Sequence, residues 1–246
     1  MIDPIITSHQ TSVRPRLASI ANDRGGRMAA SDFRRLPKHV GFIPDGNRRW
    51  ARARGLSKSE GYASGILPGL RLIAACRRLG IEEVSIYGYT KENVHRPREQ
   101  VLAFQQACVD FVRHATADGS ALLVVGDVDS VAFPKALVPY TTRSAGDLRV
   151  NLIVNYTWSW DLSVALTRIE RGVSSREVAS CLGSHEVSRI DLVVRWGGRQ
   201  RLSGFLPVQC AYADLHVVDE LWPDMKLEDF AGALRWYGEQ DVTLGG

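Results

Sequence analysis

One carboxylate stands among arginines at the point where the first long apolar run of the chain ends. The run at residues 39–43 is typical of a buried parallel strand, and the next four residues, Pro44-Asp45-Gly46-Asn47, all favour turns. Arginine side chains bind phosphate oxygens, whereas a carboxylate repels them unless a divalent cation lies between. Asp45 and its neighbours therefore indicate a diphosphate–Mg²⁺ site, and the alternative is a turn before a solvated basic helix end. The arginines that follow the turn are Arg48, Arg49, Arg52 and Arg54.

Two further polar segments follow predicted strands. Residues 88–97 come after the apolar segment 83–87, and residues 195–203 come after the segment 190–194. Because the carboxyl ends of parallel strands meet at one edge of a sheet, all three segments can line one cavity. Asp214, further along the chain, is a candidate second metal carboxylate or an ordinary surface residue. The candidate side chains in the two segments are Thr90, Asn93, Arg96, Arg195, Arg199, Arg201 and Ser203.

The elements that must position these residues alternate between strand and helix. This order predicts a single α/β domain with a mostly parallel sheet at residues 38–246, preceded by a poorly ordered N-terminal arm at residues 1–37. A further helix of uncertain length, broken by Pro134 and Pro139, is expected after the third strand. Strands are predicted at residues 39–43, 83–87, 121–125, 149–154, 190–194 and 215–218, and helices at 62–79, 98–117, 160–171, 175–182, 204–211 and 226–238.

The composition argues against several classes of protein. The net charge of +4 is modest, and the arginines occur with glycines and carboxylates rather than along a helix with stacking aromatics, which disfavours nucleic-acid binding. The four cysteines are far apart and form no Cys-x-x-Cys pair, so neither a zinc site nor a disulfide framework is expected. Such cysteines are typical of a protein in the reducing cytoplasm, which is the expected location. There is no apolar run of transmembrane length and no recognisable signal peptide, so we expect at most peripheral membrane contact.

Three blocks of the sequence resemble the undecaprenyl diphosphate synthase family, the cis-prenyltransferases. They occur in the family's order, and the similarity covers roughly residues 38–240. The first block contains Asp45-Gly46-Asn47-Arg48-Arg49-Trp50-Ala51, the second Glu92-Asn93 and Arg96-Pro97, and the third Arg195, Gly197-Gly198, Arg201, Ser203, Tyr212-Ala213-Asp214 and Leu221-Trp222-Pro223-Asp224.

The resemblance implies a six-stranded, mostly parallel sheet surrounded by helices, in a homodimer. It also implies that two isoprenyl diphosphates are joined with Mg²⁺ held near Asp45 and Asp214, and that Asp45, Asn93 and Arg96 are catalytic. A tunnel for the prenyl chain is expected between the two helices that follow the first two strands, with Phe104, Phe111, Leu70 and Ile73 as candidate lining residues. The implied substrate-binding residues are Gly46, Asn47, Arg48, Arg49, Trp50, Tyr62, Thr90, Arg195, Arg199, Arg201 and Ser203.

Several positions depart from the family pattern. Arg199 stands where the family usually has glutamate, Tyr62 where it has histidine, and Thr157-Trp158-Ser159 where it has Gly-Gly-Arg. The turn Pro44-Asp45-Gly46 resembles branches that make irregular, lavandulyl-type diphosphates. The leading hypothesis is therefore a prenyltransferase with a short or irregular product. The alternatives are transfer to a non-isoprenoid acceptor or to water, and a non-catalytic partner subunit that binds prenyl diphosphate.

Overall fold

A six-stranded parallel sheet forms the centre of the molecule. The computed structural model describes residues 28–169 and 174–241. Its strand order, β3-β4-β2-β1-β5-β6, places β1 between β2 and β5, so the loops that leave these three strands are neighbours. The strands are β1 (His39–Ile43), β2 (Glu83–Tyr87), β3 (Ala121–Val125), β4 (Arg149–Ile153), β5 (Leu192–Trp196) and β6 (Asp214–Val218).

Helices cover both faces of the sheet. They are α1 (Asn47–Ala53), α2 (Lys58–Ser64), α3 (Ile66–Leu79), α4 (Arg98–Ala117), α5 (Trp158–Arg168), α6 (Ser175–Cys181) and α7 (Leu227–Glu239). The larger apolar core contains buried residues of α3, α4 and α7, and a smaller cluster includes Tyr156, Phe205 and Leu206. Short 3₁₀ turns occur at Ala30–Asp32, Lys91–His95, Lys135–Tyr140 and Trp222–Asp224.

The predicted α/β architecture and the bounds of α4 are confirmed, but three helix predictions are wrong. The helix predicted at residues 62–79 is two helices, because the chain turns at Gly65, whose carbonyl accepts a hydrogen bond of 2.8 Å from the Trp222 indole. Residues 204–211 form turns, because Gly204 and Leu206 have positive φ angles of 79° and 37°, which an α-helix does not accommodate. The strand predicted at residues 190–194 lies two residues later, and the Pro134–Pro139 segment forms only a 3₁₀ turn.

Residues 28–37 of the predicted N-terminal arm lie against the domain. Met28, Phe33 and Leu36 pack against the larger core. Arg35 donates a hydrogen bond of 2.8 Å to the Tyr237 carbonyl, and its guanidinium lies 4.0 Å from the centre of the Tyr237 ring. The rest of the predicted arm, and the end of the helix predicted at residues 160–171, lie outside the described residues.

A buried polar cluster lies near the amino-terminal edge of the sheet, remote from the three candidate loops. The His39 ring is 2.9 Å from the Ser85 hydroxyl, and Glu83 accepts hydrogen bonds from Asn151 and Ser188 at 2.6 and 2.8 Å. Burial lowers the pKa of His39. Burial opposes ionisation of Glu83, but His39 and the two hydrogen bonds outweigh it and hold the pKa of Glu83 below its ordinary value.

Both shifts predict that acid destabilises the fold. The unfolded chain binds more protons at both groups, so stability falls first as the pH drops through about 6.5, the ordinary pKa of His, and further below about 4.5, that of Glu. Urea unfolding between pH 7.5 and about 3 measures this loss. The Glu83→Gln variant should lose less stability than the wild type below pH 4.5, whereas Glu82→Gln, at a 67% exposed side chain, should follow the wild type. Equal pH profiles for Glu83→Gln and wild type would contradict the assignment.

Candidate active site

Asp45 is held by two arginines at the carboxyl end of β1. Its Oδ1 lies 3.3 Å from Arg49 of α1, and its Oδ2 accepts a hydrogen bond of 2.8 Å from Arg195 of β5. Gly46 follows with φ of 113°, and a Cβ there would lie 2.8 Å from the Leu221 side chain, so the turn requires glycine. The Asp45 side chain is one-third exposed, which leaves it accessible to a ligand.

Arg195 joins the loop after β5 to this carboxylate. It is 4% exposed, and its second terminal nitrogen donates to the Ser203 hydroxyl at 2.8 Å and to the Arg201 carbonyl. Arg49 reaches the same loop through a hydrogen bond of 2.9 Å to the Gly197 carbonyl. The first and third polar segments predicted from the sequence therefore meet.

A polar cavity of about 290 Å³ lies beside Asp45. Within the described part of the chain, Asp45 is the only carboxylate in its lining, and five arginines face it. This excess of guanidinium groups suits a ligand that carries several phosphate oxygens. The lining residues are Pro44, Asp45, Gly46, Asn47, Arg48, Arg49, Tyr62, Arg96, Phe104, Arg199 and Arg201.

The loop after β2 places Arg96 in the cavity lining, whereas two other candidate residues of this loop, Thr90 and Asn93, contact each other. Arg96 donates a hydrogen bond of 2.9 Å to the Tyr62 hydroxyl, and burial together with nearby Arg48 lowers its pKa. The Asn93 amide donates to the Thr90 hydroxyl at 2.8 Å. Thr90 and Asn93 lie outside the cavity lining in the described structure, and the Asn93 carbonyl accepts a hydrogen bond of 3.1 Å from the Arg96 amide. These two residues therefore contact the Arg96 segment rather than the cavity.

Trp50 also lies outside the cavity lining in the described residues. Its indole donates a hydrogen bond of 2.7 Å to Asp224, and the Arg54 guanidinium lies 4.6 Å from its ring centre. Trp50 therefore connects α1 to the segment after β6. Because it does not line the cavity in the described residues, any effect of Trp50 on substrate binding would be indirect.

A small apolar pocket adjoins the polar cavity. It measures about 50 Å³ and is lined by side chains of α3, α4 and β2. Phe104 and Phe111 line it as predicted, whereas Leu70 and Ile73 belong to the larger core. Sequence reasoning missed Gly69, where a Cβ would lie 2.8 Å from the Phe111 ring, and Trp222. A glycine inside a predicted helix was the one local signal for such a close approach.

The structure does not bring Asp214 to Asp45 within one chain. Asp214 is the first residue of β6 and pairs with Leu192, which in turn pairs with Val40 near the start of β1. Asp45 follows the end of β1, so the two carboxylates are separated by at least roughly 10 Å along the strands. Burial raises the pKa of Asp214, which Arg35 partly offsets. The predicted pairing of Asp45 and Asp214 on one ion is therefore wrong for a single chain.

The residues around Asp45 fit a metal ion that takes most of its ligands from a substrate. Among the described residues, no group of three or more His, Cys, Asp and Glu side chains could hold a metal ion. The accessible Asp45 carboxylate and the unpartnered, buried Asn47 Oδ1 both line the polar cavity. Mg²⁺ commonly binds one or two protein oxygens together with substrate phosphates, which this donor set allows.

No helix in the two described ranges is both long and apolar enough to cross a lipid bilayer.

The chain matches a family model along most of its length. The model, described as "Putative undecaprenyl diphosphate synthase", matches residues 43–245. A ditrans,polycis-undecaprenyl-diphosphate synthase ((2E,6E)-farnesyl-diphosphate specific) of Haemophilus influenzae is 30% identical over 89% of this chain and 99% of that protein. An enzyme of the same description from Yersinia pseudotuberculosis is 30% identical over 86% of this chain and 91% of its own.

A solved structure shares the fold. Lavandulyl diphosphate synthase from Lavandula x intermedia, in complex with dimethylallyl diphosphate, superposes with a TM-score of 0.78 at 24% identity, covering 86% of this chain and 99% of that one. The matching family model, the relatives and the polar cavity at the strand ends agree, and the chain belongs to the undecaprenyl diphosphate synthase family, the cis-prenyltransferases.

Proposed function

We propose that this prenyltransferase couples a small allylic diphosphate, with Mg²⁺, to a second isoprenyl diphosphate and releases pyrophosphate. One observation carries the proposal: an arginine-lined cavity of about 290 Å³ adjoins an apolar pocket of only about 50 Å³. A diphosphate suits the first, and a short prenyl tail suits the second. The product is accordingly a short-chain or irregular isoprenoid diphosphate.

The allylic diphosphate would bind beside Arg48, Arg49 and Arg96, with its tail toward the apolar pocket. These guanidinium groups line one cavity, and Asp45 and Tyr62 anchor two of them, Arg49 and Arg96. Fixed cations stabilise negative charge that develops on a leaving group without reorganising during the reaction. Arg96 is suited to this role because its charge is partly desolvated.

The second diphosphate would bind on the side of the loop after β5. Arg199 and Arg201 line the cavity there, and Arg195 holds Ser203 and the Arg201 carbonyl in place. In the reaction, the allylic C–O bond breaks and pyrophosphate leaves with the electron pair. The double bond of the second substrate forms the new C–C bond, and a proton is then lost to solvent or pyrophosphate.

Mg²⁺, when bound, would neutralise diphosphate charge and so assist departure of pyrophosphate. Asp45 is the residue that would hold it, with Asn47 as a neighbouring oxygen donor. Arg195 and Arg49 already position the Asp45 carboxylate through their contacts with its two oxygens.

One feature supports an irregular product, namely that the fold neighbour named above is a lavandulyl diphosphate synthase. A second feature concerns the acceptor: Arg199 adds a cation to the second diphosphate side, where the resemblance leads us to expect glutamate. A cation there favours a second substrate bound through its diphosphate. This argues against water or an uncharged acceptor as the second substrate.

We also propose a cytoplasmic homodimer. Trp158, Leu162 and Leu166 form an apolar stripe along one face of α5 and are 52%, 37% and 76% exposed, which suits burial against a second copy. All four cysteines are free, as in a reducing compartment.

Product analysis by mass spectrometry tests the proposed function. The purified protein is incubated with Mg²⁺ and dimethylallyl, geranyl or farnesyl diphosphate, each with and without isopentenyl diphosphate. A coupled product from dimethylallyl diphosphate alone supports irregular coupling, and one that requires isopentenyl diphosphate supports regular short-chain elongation. If farnesyl diphosphate is instead elongated to long polyprenyl products, the short-chain proposal is wrong. If no reaction couples two units, the prenyl acceptor is different or the chain is a non-catalytic subunit.

A further inference from the structure

Two aromatic rings form a wall shared by the polar cavity and the apolar pocket. Tyr62 of α2 and Phe104 of α4 line both spaces. Their rings are parallel, with centres 4.6 Å apart, and Tyr89 packs edge-on against Phe104 at 5.8 Å. A prenyl tail that extends from the diphosphate cavity into the apolar pocket must therefore pass beside this stack.

Arg96 fastens the stack from the polar side. It donates its hydrogen bond to the Tyr62 hydroxyl at 2.9 Å, and its guanidinium lies 5.7 Å from the centre of the Phe104 ring. One arginine that faces the diphosphate cavity thus contacts both rings. The stack is consequently held by packing, by a charged hydrogen bond and by a cation–π contact.

The space beyond the stack is small. The apolar pocket measures about 50 Å³, against about 290 Å³ for the polar cavity. The shortest allylic tail, a single isoprene unit, would therefore displace the fewest neighbouring side chains. A geranyl or farnesyl tail must separate Tyr62 from Phe104 or push neighbouring residues apart.

We propose that the Tyr62–Phe104 stack, fastened by Arg96, determines substrate specificity by limiting the allylic substrate to a single isoprene unit. The inference rests on the proposed binding of allylic diphosphates and adds the residues that select among them. Arg96 faces the cavity for the diphosphate and also holds the two rings that restrict the prenyl tail. Tyr62 and Phe104 restrict the length of the prenyl tail, whereas the arginines bind the diphosphate group, which is the same in all allylic substrates.

Binding of unreactive analogues tests this selection separately from coupling. The dissociation constants of dimethylallyl, geranyl and farnesyl S-thiolodiphosphates are measured by calorimetry with the full chain and Mg²⁺. The wild type should bind the dimethylallyl analogue at least about tenfold more tightly than the geranyl analogue, the scale on which apolar pockets discriminate. Phe104→Ala should reverse this preference, and Tyr62→Phe, which keeps the ring but removes the bond to Arg96, should reduce it.

Phe104→Leu provides a milder change if the alanine variant unfolds, and it should shift the preference in the same direction. Leu102→Ala is the matched control, because Leu102 lies on the same helix, is 53% exposed and lines neither cavity in the described residues. If the wild type binds the geranyl analogue as tightly as the dimethylallyl one, the selection proposal is wrong even where coupling occurs. It is also wrong if the folded Phe104 variants keep the wild-type preference. If no analogue binds, the proposed function fails with it.

Discussion

Replacement of Asp45 by asparagine is expected to lower kcat/KM for coupling by about 10²–10³-fold, the range seen when one preorganised charge-stabilising group is removed. Asparagine has nearly the same shape, but it lacks the charge that holds Arg49 and Arg195 and that would bind Mg²⁺. The expected signature is a fall in kcat and a weaker response to Mg²⁺, measured by steady-state kinetics over a range of Mg²⁺ concentrations.

Asp110→Asn is the matched control for this change. Asp110 also pairs with an arginine on its own helix, Arg113 at 3.4 Å, but it lies outside the cavity in the described structure. It should keep wild-type kinetics and the wild-type unfolding temperature, since an ion pair this exposed contributes little stability. Asp45→Asn should stay folded but unfold at a lower temperature than the wild type, because it removes the charge that pairs with the buried Arg195 guanidinium. Activity of Asp45→Asn above a tenth of wild type would remove Asp45 from the proposed chemistry.

Replacement of Arg195 by alanine is expected to affect both catalysis and stability. Arg195 is buried and joins Asp45 to Ser203 and to the Arg201 carbonyl, so its removal frees the Asp45 carboxylate and loosens the loop after β5. We expect kcat/KM for the second diphosphate to fall about 10²-fold and the free energy of unfolding to fall by about 1–3 kcal/mol, because a buried side chain and its hydrogen bonds are removed.

Two further variants separate charge from geometry at this position. Arg195→Lys keeps the charge but cannot reach Asp45 and Ser203 with one planar fork, so it should restore stability more than activity. Arg113→Ala removes an exposed arginine whose side chain is 64% exposed, and it should change neither property. Urea unfolding and kinetics with the second diphosphate varied measure the two effects. An unchanged KM for that substrate in Arg195→Ala would contradict the assigned second site.

The sequence alone determined the α/β class, the six strands and the loops that carry the chemistry. Apolar runs that end in turn residues are local patterns, and the carboxyl ends of parallel strands share one edge of a sheet. Residue patterns therefore suffice to group Asp45, Arg96 and Arg195. The bounds of α4 were also predictable from the sequence, because its apolar residues recur at helical spacing between Pro97 and Gly119.

Tertiary structure alone decided the features that depend on distant partners. The turn at Gly65 is stabilised by Trp222, and the loop after β5 is held by the hydrogen bonds of Arg195 to Ser203 and Asp45, so no local pattern reveals either. Whether Asp214 faces the Asp45 cavity depends on strand register, which places it at the opposite edge. The Tyr62–Phe104 stack likewise joins two helices, since its rings meet only when α2 and α4 pack together. Local residue patterns specify which elements form and which loops carry charge, whereas long-range packing specifies which side chains in those loops can reach a common ligand.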